Sequence, residues 1–244
     1  MISERFSSSE FSAPPLPGAI SMSPARVVNA GYPGDTTREL LARFDRDVAP
    51  HSPDLVILWA GVNDMLYCGH TVPPEEFRRN FRRLVHRCRI PGSAVAAGTL
   101  PPRINAYLFE QFPGAALDPV PPDERVECAN EILRELSAEL DFPLIDFEGL
   151  VRSRPVAEEP ASLLRNFSNS GMRDGLHLTP EGCRLAAELA FEVIRREHLP
   201  CSCIVCFGDS LTYGPWLKGR GTAAEGAEPY PARLAALLRQ AEAR

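Results

Sequence analysis

Four polar clusters in this chain carry the residue types that acyl transfer requires. Ser210 follows the apolar run Cys203–Phe207 and the pair Gly208-Asp209. That run is short, rich in β-forming residues and bounded by a glycine, so it reads as a buried parallel strand. Ligands of open α/β sheets gather just past the carboxyl ends of the strands, which is where Ser210 falls. A serine hydroxyl is a weak nucleophile near neutral pH and needs an adjacent base. His177 is the candidate base, since an imidazole exchanges protons near neutrality. Asp174, three residues earlier, can reach back to the other ring nitrogen and hold it. Gly34 and Asn63 each follow a further strand, and with Ser210 they offer two backbone N–H groups and a side-chain amide to a developing oxyanion. Losing one such donor typically costs roughly 100- to 1000-fold in kcat.

Each cluster also has a plainer reading. Ser210 could cap the next turn, and Gly34 could serve only a tight bend. Asn63 and Asp64 could cap the following segment. Asp174 could pair with Arg173 or bond local backbone, and His177 could be a satisfied loop histidine. The plainer readings explain each cluster singly; they do not explain why all four fall after strands or before a helix.

The elements that must carry these groups alternate along the chain. Arg26–Ala30 reads as a strand, followed by a Gly31–Gly34 turn. Thr36 and Glu39 stand at capping-box spacing before a helix whose Leu40, Leu41, Phe44 and Val48 share a face. Asp54–Ala60 is an apolar strand. Pro73-Pro74-Glu75-Glu76 opens a helix with Phe77, Phe81, Leu84 and Val85 inward, and Ala94–Thr99 is the next strand. Asp123–Leu140 is amphipathic, and Pro143–Asp146 is a short strand. Thr179-Pro180-Glu181 places an N-cap, a first-turn proline and a favourable acid before a helix to Arg196. Tyr230–Gln240 is the last helix. Such alternation implies a parallel sheet covered on both faces. Residues 101–122 read as a long Pro-rich loop forming a lid, pocket wall or surface excursion, and residues 150–170 as irregular.

Composition bounds the rest. A chain of 244 residues, 44% hydrophobic and 24% charged, can bury one α/β core. Residues 1–24 are rich in Ser and Pro and read as a flexible arm, leaving 25–244 as a single domain. A net charge of −6 argues against a nucleic-acid partner. No segment approaches the ~18 apolar residues that span a bilayer. The N-terminus shows no apolar h-region, and seven cysteines without a small disulfide scaffold read as thiols of a cytoplasmic protein. Cys201, Cys203 and Cys206 cluster near His198, but two of them fall inside a strand and the spacing is not that of a zinc site.

Four blocks carry a family resemblance: Gly208-Asp209-Ser210-Leu211, Gly31-Tyr32-Pro33-Gly34-Asp35-Thr36, Gly61-Val62-Asn63-Asp64 and Asp174-Gly175-Leu176-His177. Between about Arg26 and Gln240 the chain resembles an SGNH, or GDSL-type, hydrolase. The resemblance implies a three-layer α/β/α flavodoxin-like fold. It implies ester hydrolysis by Ser210, His177 and Asp174, an oxyanion hole of Ser210, Gly34 and Asn63, and no metal or other cofactor. The expected substrate is a small-molecule ester with a small, acetyl-like acyl group. Carbohydrate deacetylation, lysophospholipid or thioester hydrolysis, and a non-catalytic binding module are the alternatives. Tyr213, Trp216, Met65, Leu66 and Leu176 are candidate pocket walls, or else core.

Block order departs from the family, in which the nucleophile block comes first. Here it comes last, so the chain reads as circularly permuted. The family's strand order 2-1-3-4-5 then becomes 1-5-2-3-4 in this chain's numbering, which seats Ser210 between Gly34 and Asn63. The alternative is a last segment that completes a neighbouring chain's sheet in a swapped homodimer.

Overall fold

The computed structural model describes residues 25–66, 71–89, 92–117 and 119–242; the arm expected over 1–24 lies outside the described residues. In chain order, β1 (Arg26–Gly31) leads to α1 (Thr37–Asp47), and β2 (Leu55–Trp59) to α2 (Val62–Met65) and α3 (Pro74–Arg89). β3 (Ala94–Gly98) is followed by α4 (Asn105–Gln111) and α5 (Pro122–Leu140), and β4 (Leu144–Ile145) by α6 (Phe147–Arg152), α7 (Phe167–Ser170) and α8 (Pro180–Arg196). β5 (Cys203–Gly208), α9 (Ser210–Tyr213) and α10 (Tyr230–Glu242) complete the fold.

The five strands form one parallel sheet in the order β1-β5-β2-β3-β4, as the permuted numbering requires. The last strand therefore lies inside the chain's own sheet. Alternate residues of a strand face opposite sides. Phe207 meets Phe44 of α1, with ring centroids 6.0 Å apart. On the other side Trp59 of β2 packs on Tyr230 of α10 and stacks on Phe147 of α6. Helices α1, α3 and α5 pack together on the first face, and α8 and α10 on the second. Every residue of β2 is fully buried, which accounts for its uninterrupted apolar sequence.

The helix starts follow their local chemistry. Thr36 and Glu39 form the reciprocal capping box of α1. Thr179 Oγ1 accepts from the Gly182 N–H at 3.1 Å, with Pro180 at the first helical position. Two expectations need correction. Residues 101–122 contain α4 and a 3-10 turn at Pro113–Leu117, because Tyr107 and Leu108 bury against the core. Residues 150–170 contain the end of α6 and all of α7, which a capping box between Asn166 and Asn169 nucleates. Both helices are too short to show a period in sequence.

Candidate active site

Strand register brings three of the expected residues to one edge. Gly31 pairs with Gly208, and Gly208 with Trp59, so the carboxyl ends of β1, β5 and β2 lie side by side. Gly34, Ser210 and Asn63 follow these three ends within two to four residues. Side contacts close the gaps. Tyr32 donates its N–H to Gly208 O at 3.1 Å. Asn63 Nδ2 donates to the carbonyl of Asp35 at 2.8 Å, which fixes the amide beside the Gly34 turn. Gly34 has φ +85°, a backbone conformation that favours glycine. Ser210 opens α9, behind the N-cap Asp209, whose Oδ1 accepts from the Leu211 N–H at 2.9 Å.

Asp174 and His177 arrive from the opposite direction. The last turn of α8 lies near the start of β5, so this 17-residue helix begins about 25 Å away, at the carboxyl edge. His177 stands just before that start. Its Nδ1 lies 2.7 Å from Asp174 Oδ2, while Asp174 Oδ1 accepts from the backbone N–H groups of His177 and Leu176. Arg173 pairs instead with Glu110 and Glu158. Burial pushes the Asp174 carboxyl up, but the hydrogen bond and charge of His177 and the two N–H groups outweigh it and hold it at about 2. The loop is tied down by Ile104 N–H to Gly175 O and by Arg165 N–H to His177 O, each 2.8 Å. Arg165 Nη2 also reaches Trp216 O at 3.4 Å, joining the histidine loop to the segment after Ser210. No hydrogen bond joins Ser210 Oγ to the His177 ring among the described residues.

Beneath the strand ends lie charges that the sequence reading passed over. Arg43 of α1 is 7% exposed. It donates to Asp35 Oδ2 at 2.5 Å, Ala30 O at 2.9 Å and Gly208 O at 2.7 Å. The signal was present in sequence, since Arg43 lies on the otherwise apolar stripe of Leu40, Phe44 and Val48. Burial raises the Asp35 carboxyl, with Arg43 pulling it back. Burial pushes Asp64 up to about 6, against hydrogen bonds from the Thr37 hydroxyl and N–H. Asp209 is pushed up to about 7 by burial, and the neighbouring charges of Asp64 and Asp35 add to it.

The expected pocket walls divide. Met65, Leu66 and Leu176 belong to the core, at 2%, 7% and 8% exposure. Met65 lines a cavity of about 460 Å³ with Val72, Pro73, Pro74 and Val120. Tyr213 lies against Gly221, where a Cβ would come within 2.6 Å of its ring. Trp216 alone among them stands exposed, at 59%, with a left-handed φ of +65°.

A family model described as "GDSL-like Lipase/Acylhydrolase family" matches residues 8–185, ending upstream of Ser210. The uncharacterized lipoprotein YqeF of Bacillus subtilis (strain 168) is 26% identical over 175 residues, covering 66% of this chain and 70% of that protein. An acetylxylan esterase of Geobacillus stearothermophilus is 48% identical over 40 residues, 16% of this chain and 18% of that one. Among solved structures, a lipase/acylhydrolase from Enterococcus faecalis superposes with TM-score 0.54 at 24% identity, over 69% of this chain and 74% of that one. The acetyl xylan esterase AlAXEase superposes with TM-score 0.53 at 20% identity, over 68% and 79%. At these identities the two superpositions speak to the fold.

Proposed function

Because this chain belongs to the GDSL-like Lipase/Acylhydrolase family, we propose that it is a serine esterase acting on carboxylic esters with small acyl groups. The observation that carries the reading is the His177–Asp174 hydrogen bond of 2.7 Å, taken with the strand register that sets the ends of β1, β5 and β2 side by side. In this reading His177 takes the Ser210 proton as Oγ bonds to the ester carbonyl carbon. Asp174 holds the tautomer that leaves the other ring nitrogen to act as base. The carbonyl oxygen, now an oxyanion, is met by the N–H groups of Ser210 and Gly34 and the Asn63 amide. His177 returns the proton to the leaving alcohol as the C–O bond breaks. Water then attacks the acyl-serine with His177 again as base, releasing acid and free Ser210. The same reading makes the block order a circular permutation of the family's.

A narrower form of the reading, removal of acetyl groups from a carbohydrate, draws support from Trp216. A bulky residue held at φ +65° and 59% exposed is strained, and strain of this kind concentrates at ligand-contacting positions. Its flat face suits a sugar ring in the alcohol part of the ester.

A fluorophosphonate probe tests the esterase reading. The wild-type protein should take one label, and Ser210→Ala and His177→Ala should take none. Equal labelling of Ser210→Ala, or none of the wild type, rejects it. A p-nitrophenyl ester series should peak at two to four carbons; activity flat or rising beyond eight rejects the small-acyl part.

A further inference from the structure

We infer that Arg43 is the positioning residue of the oxyanion donors: one buried guanidinium bonds the ends of β1 and β5 and holds Asp35, whose carbonyl in turn holds the Asn63 amide. The inference rests on the esterase reading above and adds a residue outside the proposed triad and oxyanion donors.

The contacts carry it. Arg43 Nη2 donates to the carbonyl of Gly208, two residues before Ser210. Nη1 donates to the carbonyl of Ala30, at the end of β1, and to Asp47 Oδ2 at 2.9 Å. Nε donates to the carboxylate of Asp35, the residue after Gly34. The carbonyl of that same Asp35 accepts from Asn63 Nδ2. The β5 end, the Gly34 turn and the Asn63 amide are thus each one or two bonds from a single rigid plane. The guanidinium lies 4.5 Å from the centre of the Phe207 ring, which fixes the plane from below. A lysine could supply the charge but not the fork, since its ammonium is a point donor on a flexible stem.

Placement of this kind bears on rate. A misplacement of about 1 Å at a reacting centre can cost on the order of 100-fold. Oxyanion donors act on the transition state more than on the bound ester, so their misalignment should lower kcat and leave KM nearly unchanged. A role confined to holding the fold would lower the melting temperature and the active fraction, which scales kcat per total enzyme but leaves the inhibition constant of an oxyanion mimic unchanged.

The test uses the full chain with p-nitrophenyl acetate and a phenylboronic acid inhibitor, whose tetrahedral adduct on the serine mimics the oxyanion. Wild-type activity lost in Ser210→Ala is the entry condition; if it fails, the esterase reading fails, and not this inference. Arg43→Lys and Asp35→Asn should each lower kcat by about 10- to 100-fold with KM within twofold. The boronic acid inhibition constant should rise by a similar factor. The double variant should be little worse than the worse single one, because both changes release the same turn. Melting curves establish that each protein is folded at the assay temperature. If Arg43→Lys does not fold, Asp35→Asn carries the test alone. A folded variant with kcat within twofold of wild type, or a loss confined to KM, overturns the inference.

Discussion

Asp209 shows how one buried carboxyl next to the proposed nucleophile, Ser210, sets a pH dependence for the whole fold. It is fully buried, and its Oδ2 has no hydrogen-bond partner among the described residues. Burial, with the charges of Asp64 and Asp35, raises it from 3.8 to about 7. A carboxyl held above its unfolded value gives its full contribution to stability below about pH 4, where both states are protonated. That contribution is lost as the pH rises towards 7, because the unfolded chain releases its proton first. Asp209→Asn keeps an acceptor for the Leu211 N–H and removes the titration. It should change the melting temperature little at pH 4 and raise it at pH 8, by more than about 1 kcal/mol or roughly 2–4 °C. Equal shifts at both pH values would refute the assignment. Asp64 is different, because it accepts from both the N–H and the hydroxyl of Thr37, and an amide there would set a donor against a donor. Residue types and spacing made Asp174, His177, Ser210, Gly34 and Asn63 readable in the sequence as candidates for the proposed site. Arg43 was not, although it interrupts an apolar stripe, because its partner Gly208 lies 165 residues away.

Among the elements, α4 governs how the Asp174–His177 loop is presented. Tyr107 of α4 is buried, and its hydroxyl donates to Glu158 at 2.5 Å while accepting from the Phe167 N–H. Arg173 lies 4.5 Å from the centre of the Tyr107 ring and holds Glu110 of the same helix. The segment read in sequence as a lid or excursion is therefore the support under the histidine loop. Its prolines at 101, 102 and 113 read as breaks, and the two buried residues of α4 are too few to show a helical period. Gly175 is where the loop meets this support. It has φ +76°, and a Cβ there would stand 3.0 Å from Ile104 Cβ and from the Tyr107 ring. Gly175→Ala should cost about 1–2 kcal/mol through the left-handed backbone alone. If it displaces the Asp174–His177 pair as expected, kcat should fall about tenfold or more. Thermal melting and ester hydrolysis measured together check it; a destabilised protein with unchanged kcat would show that the loop tolerates the shift.

At the scale of the whole molecule, one topological fact organises the site: the strand made last lies between β1 and β2. Block order, together with the family resemblance, made this legible before any coordinates, because only that placement sets Ser210 between Gly34 and Asn63. What sequence could not supply was how the two ends of the described fold, and the bridge from α8 to β5, close. The structure places the Ala25 N–H 3.1 Å from Glu242 Oε1, so the two ends of the described fold meet. The bridge from α8 to β5 runs through His198, Pro200 and Ser202, all exposed, with His198 at φ +51°. Breaks are tolerated where backbone is exposed and neighbouring ends lie close. A chain that begins at Cys201, runs to Glu242, continues through a short Gly/Ser linker into Ala25 and ends at Leu199 should therefore build the same sheet. It should melt cooperatively within several degrees of the parent and hydrolyse esters with kcat within about threefold, since no strand, cap or site contact is cut. Circular dichroism and steady-state kinetics decide it. Failure of this rearranged chain to fold, with the linker lengthened to exclude strain, would mean that the bridge from α8 to β5 is a structural requirement of the native order and not an interchangeable seam.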